Sequence, residues 1–106
     1  MRPGRSTFFA AVLCGLVCAV PARAATIKVE VKNLVFTPAV VTAKAGDTIV
    51  WTNKDVLQHT ATATGGGFDV MLPPGKSGSA VVTKAGTFDY FCKFHPNMKG
   101  KVTVTP

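Results

Sequence analysis

A chain of 106 residues carries 12 Lys and Arg against five Asp and Glu, a formal charge of +7, and is 47% apolar. That length allows one domain. The charges are scattered without a basic block, so no nucleic-acid partner is expected.

In chain order, Arg2 and Arg5 precede an almost unbroken apolar run from Phe8 to Val20, and Ala22-Arg23-Ala24 offers a small-x-small cleavage site. This is the pattern of a secretory signal peptide over residues 1–24. The run is shorter than the roughly 20 residues of a spanning helix. Cleavage is therefore expected over anchoring, with no membrane attachment afterwards and a periplasmic destination. Neither Cys14 nor Cys18 follows the small residue usual at lipoprotein processing sites. Removal takes all three arginines and leaves nine lysines against five acids, a net charge of +4. It also leaves Cys92 as the only cysteine of residues 25–106. Exported proteins usually pair their cysteines. A lone one is a buried inert thiol, an intermolecular bridge or a metal ligand.

The rest of the chain reads as short strands between Gly and Pro turns. Ile27, Val29 and Val31 alternate with Lys28 and Glu30, the period of a half-buried strand. Further strands are expected at "AVVTA" after Pro38, at "TIVWTN" with the sole Trp51, and at "HTATAT" up to Gly65-Gly66-Gly67. Phe68 to Lys76 contains Pro73-Pro74-Gly75 and is expected to be a loop. "SGSAVVT", "TFDYFC" and "GKVTVT" complete the set, with Lys-Ala-Gly turns at 44–46 and 84–86. No stretch of residues 25–106 looks helical, which argues for an all-β sandwich or barrel.

Chemistry concentrates in "YFCKFHPNM", where Cys92, His95 and Met98 follow one another at intervals of three. The remaining histidine, His59, follows "TIVWTN". Two histidines and one cysteine with a weak axial methionine make a blue copper site, because thiolate and thioether suit Cu(I) while imidazole suits both oxidation states. Cys92 ends a strand, so the loop beyond it can fold His95 and Met98 over one ion. Zinc would accept Cys and His, but methionine is a poor zinc ligand. Met71 is a rival axial donor, set in a Pro-rich segment and expected instead on an apolar surface. A thiol hydrolase is disfavoured, because Cys92 and His95 are too close on one loop. "PPGKSG" lacks the first glycine of a phosphate-binding loop, since Val70 stands there.

"GDTIVWTN", the downstream "QHT" and "AGTFDYFCKFHPNMKGKVTV" resemble the cupredoxins, the small blue copper proteins. Within that family the Cys-x-x-His-x-x-Met spacing is similar to the amicyanins. The resemblance runs from Ile27 to Val104. It implies a Greek-key β-sandwich (cupredoxin, plastocyanin-like) over residues 25–106, one type 1 copper, and His59, Cys92, His95 and Met98 as its ligands. Asn53, Thr60 and Phe94 are expected to support them. The family often has Asn or Ser after the first histidine to tie the ligand loops together; Thr60 keeps a backbone N–H and a hydroxyl for that tie. Amicyanins carry a proline where this chain has Phe94, whose N–H is expected to aim at the Cys92 sulfur.

The expected function is single-electron transfer by a monomer that is not an enzyme. A copper carrier serving copper homeostasis is the alternative with nearly the same ligands. A redox partner, an acidic c-type cytochrome or a dehydrogenase, is expected to dock near His95. Pro96 and Met71 would form an apolar patch there with Leu72, rimmed by Lys54, Lys93 and Lys99.

Overall fold

The computed structural model describes residues 23–106; the expected signal peptide lies almost wholly outside them. Nine strands build two sheets: β1 (Thr26–Lys32), β2 (Val35–Thr37), β3 (Val40–Lys44), β4 (Thr48–Asn53), β5 (His59–Ala63), β6 (Asp69–Leu72), β7 (Ser77–Val81), β8 (Gly86–Cys92) and β9 (His95–Thr105). One sheet has the order β2-β1-β4-β7 and the other β3-β9-β8-β5-β6. This is the β-sandwich expected. No helix among the described residues is long and apolar enough to cross a membrane.

The alternation read in the sequence is the alternation of burial. Val29 and Val31 face inward from β1 while Lys28, Glu30 and Lys32 face out. On β4, Ile49, Trp51 and Asn53 are buried and the residues between them are half-buried. β1 pairs in parallel with β4, and β3 in parallel with β9. Parallel neighbours need a crossover, and β2 and β3 supply one of them by stepping from the first sheet to the second. Trp51 and Tyr90 meet in the centre, ring centroids 5.5 Å apart, with Phe36 and Phe68 packed on Tyr90 at 4.7 and 5.8 Å. The indole N–H of Trp51 donates to the Tyr90 hydroxyl at 3.2 Å, joining the two sheets through the core.

Three elements depart from expectation. Asp69–Leu72 is not loop but strand β6, pairing antiparallel with β5 from His59↔Leu72 to Thr62↔Asp69. Four residues that include an aspartate give almost no periodic signal, and the flanking prolines mark only the strand's end. β2 is three residues long and equally silent in sequence. β9 begins at His95, not near Gly100. Its pairing with β8 jumps from Phe91↔Lys99 to Cys92↔His95, so Pro96, Asn97 and Met98 form an irregularity that has no partner across the ladder. Such bulges re-aim side chains and accommodate a proline.

Candidate metal centre

Strand alternation delivers two of the expected residues. On β8 the inward positions run to Tyr90 and Cys92, both buried. On β9 Val104 and Val102 are buried, and the same two-residue period reaches Met98, buried as well. The bulge then lets the chain return so that His95 stands opposite Cys92. His59 opens β5 and is wholly buried.

The donor atoms converge. Cys92 Sγ lies 3.7 Å from His59 Nδ1 and 3.7 Å from His95 Nδ1. The donors of all three residues fall within 4.8 Å of one another. A sulfur about 2.3 Å and a nitrogen about 2.0–2.1 Å from one first-row metal ion, at angles between tetrahedral and trigonal, stand roughly 3.5–3.8 Å apart. The observed separations fit that arrangement, and the donor set is the soft-plus-imidazole set that copper favours.

The support around these atoms is specific. Buried Asn53 donates through Nδ2 to the carbonyls of Leu57 and Leu72, each at 2.8 Å. Its Oδ1 accepts the Asp55 N–H at 2.8 Å. This side chain stitches β4, the 54–58 loop and β6 together and sets Asp55 behind His59. Asp55 Oδ2 lies 2.8 Å from His59 Nε2. An ionised carboxylate can only accept, so Nε2 carries the proton and Nδ1 turns its lone pair toward Cys92. Burial pushes the Asp55 carboxyl up, but the N–H groups of Leu34 and Asn33 and the His59 ring outweigh it and hold it below its ordinary value. The sequence reading missed Asp55; a carboxylate four residues before a candidate ligand was the available signal.

Thr60 bonds to Cys92 and to the residue after it. Its N–H donates to Cys92 Sγ at 3.4 Å, and its hydroxyl accepts the Lys93 N–H at 2.9 Å. The backbone N–H that reaches the sulfur is thus Thr60's, and not that of Phe94 as the sequence suggested. Phe94 occupies the exposed tip between β8 and β9, where the residue is 54% accessible. Met71 is 51% accessible on β6, too exposed for a buried axial donor. Leu72, expected beside it at the surface, is buried, because adjacent strand residues face opposite ways. Pro96, Lys54 and Lys99 are exposed, whereas the Lys93 ammonium is held by Asp69 at 2.6 Å.

Comparison with known proteins decides the family. The cupredoxin-like domain family matches residues 6–104. The chain is a cupredoxin. Amicyanin of Paracoccus versutus is 38% identical over 91 residues, covering 80% of this chain and 67% of the relative. Chloroplastic plastocyanin of Tetradesmus obliquus is 36% identical over 108 residues, covering 87% and 74%. Among solved structures, the reduced state of an amicyanin mutant with proline replaced by phenylalanine superposes with a TM-score of 0.65 at 31% identity, covering 82% of this chain and 87% of that one. Cupredoxins of this kind are small blue copper electron carriers and not enzymes, and the cluster of His59, Cys92 and His95 fits their single type 1 copper.

Proposed function

We propose that this cupredoxin is exported, holds one copper ion through His59 Nδ1, Cys92 Sγ, His95 Nδ1 and the Met98 thioether, and carries single electrons between redox proteins. The observation that carries this reading is the convergence of three donor atoms, with Sγ 3.7 Å from each imidazole nitrogen. Bound copper supplies the one-electron couple. The chain supplies a site already in place. Asn53 and Asp55 orient His59, Thr60 holds the sulfur, and β8 and β9 fix Cys92 and Met98 by strand geometry. Donors that do not move keep the reorganisation on electron gain or loss small. Complete burial of His59 and Cys92 favours retention through redox cycles over the release a copper carrier needs.

Electrons would enter at His95, the one histidine of the cluster that is only half-buried, flanked by exposed Phe94 and Pro96. Met71 adds apolar surface on β6, and Lys99 offers a positive charge to an acidic partner such as a c-type cytochrome or a dehydrogenase. Because Asp69 engages Lys93, Lys99 is the stronger lure of the two. The test is to load the protein with Cu(II) and record its visible spectrum beside that of Cys92→Ser. The intense thiolate-to-copper band should appear in the wild type and vanish in the variant. A band that survives the substitution overturns the assignment.

A further inference from the structure

The outer face of β5 and β6 carries a hydrogen-bonded ring that no copper ligand joins directly. Lys93 N–H donates to the Thr60 hydroxyl at 2.9 Å. The Thr60 and Thr62 hydroxyls are 2.9 Å apart, and Thr62 donates to Asp69 Oδ1 at 2.8 Å. Lys93 Nζ donates to Asp69 Oδ2 at 2.6 Å and closes the ring. Every direction in it is forced. A backbone N–H can only donate and a carboxylate can only accept. The single Thr62 hydrogen is used on Asp69, so Thr62 accepts from Thr60. The Thr60 hydrogen is then used on Thr62, which leaves its oxygen open to Lys93. Chains of this kind polarise along their length, and an anion at the accepting end strengthens each member.

From this ring we infer that Asp69 is a remote positioning residue for the Cys92 sulfur. It acts through Thr62 and Thr60 on the turn that follows Cys92. Asp69 and Lys93 are both about half exposed, so as a bare surface ion pair they would contribute little. The consequence lies at Thr60, which is wholly buried and whose N–H bonds the sulfur while its hydroxyl bonds the next residue. Removing the acceptor frees both hydroxyls to turn. It thereby releases the Lys93 amide and loosens the N–H···Sγ bond that withdraws electron density from the thiolate. The part of this inference that concerns the redox couple rests on the proposed electron-carrying role.

The experiment compares Asp69→Ala, Asp69→Asn and Thr62→Val. Two quantities are read: hydrogen exchange of the Lys93 amide in the metal-free, thiol-reduced protein, and the reduction potential of the copper-loaded protein. Asp69→Ala and Thr62→Val should each speed exchange by about tenfold. Thr62→Val, which changes no charge, should also shift the redox equilibrium about threefold toward the oxidised form, roughly 28 mV at 59 mV per tenfold for one electron. Asp69→Asn keeps an oxygen for Thr62 and should restore most of the exchange protection. Thr62→Val leaves the Asp69–Lys93 pair in place, so wild-type behaviour in that variant would show that the ion pair alone acts and would overturn the relay. Unchanged exchange in Asp69→Ala would overturn it too. A wild-type protein that takes up copper without a visible band defeats the proposed blue-copper electron-carrying role instead, and the exchange result still decides the relay.

Discussion

The carboxylate behind His59 should lower the reduction potential, and Asp55→Asn should raise it. Asparagine keeps the shape and one oxygen for both His59 Nε2–H and the Leu34 N–H, while the Asn33 N–H, now bonded to the other oxygen at 2.7 Å, loses its acceptor, so the charge and one exposed turn bond are the changes. The Asp55 oxygen lies 2.8 Å from Nε2. With the imidazole ring and a metal–nitrogen bond of about 2 Å beyond it, the charge sits roughly 7 Å from the metal position. One elementary charge at that distance is worth about 0.6 kcal/mol in water and about 2.4 kcal/mol at an effective dielectric of about 20. Oxidation adds one unit of charge to the metal, so the carboxylate favours the oxidised form by that amount. Its loss should raise the potential by about 25–100 mV, at about 59 mV per tenfold for one electron. Asp55 is largely shielded and His59 fully buried, which places the expectation in the upper half of that range. The assay is equilibrium redox titration at neutral pH, with near-ultraviolet dichroism to confirm an intact fold. A potential that stays the same or falls while the dichroism shows an intact fold would refute the reasoning.

Other expectations follow from particular contacts. A Cβ at Gly100 would overlap the Tyr90 ring lying opposite it across β8 and β9. Gly100→Ala should therefore cost about 2–3 kcal/mol in denaturant unfolding of the metal-free protein, and a loss near zero would show that the ring has room to move. Asp47 accepts the N–H groups of Ala25 and Lys44, each at 2.8 Å, and these bonds hold its carboxyl below the ordinary value. The stability it supplies is present above its unfolded pKa of about 3.9 and lost as pH falls through the lower folded value. Asp47→Asn should thus lower stability at neutral pH and flatten the acid limb, most clearly in a chain that begins at Ala25, where the partner is an α-ammonium. An acid limb unchanged from wild type would show that other carboxylates govern it. Lys99→Glu should slow electron transfer with an acidic partner at low salt and approach the wild-type rate as salt rises; equal rates at all ionic strengths would place docking elsewhere.

The sequence by itself determined the class of fold and the chemistry of the site. Alternation in "TIKVEV" is a physical record of two faces, one wet and one dry, and it survives folding: Val29 and Val31 are buried while Lys28 and Glu30 are exposed. The spacing of Cys92, His95 and Met98, with one histidine elsewhere, restricts the chemistry because so few donor sets suit both copper states. Tertiary structure decided what short, non-repeating segments do. β2 and β6 exist because a neighbouring strand offers an unpaired edge, which no window of three or four residues can reveal. The donor on the Cys92 sulfur turned out to be Thr60 and not Phe94, because β5 lies beside β8 and brings a residue 32 positions away closer than one two positions away. Asp55 and Asp69 became part of the site for the same reason. A carboxylate has no periodicity to read, and its role is set by which donors the packed strands turn toward it.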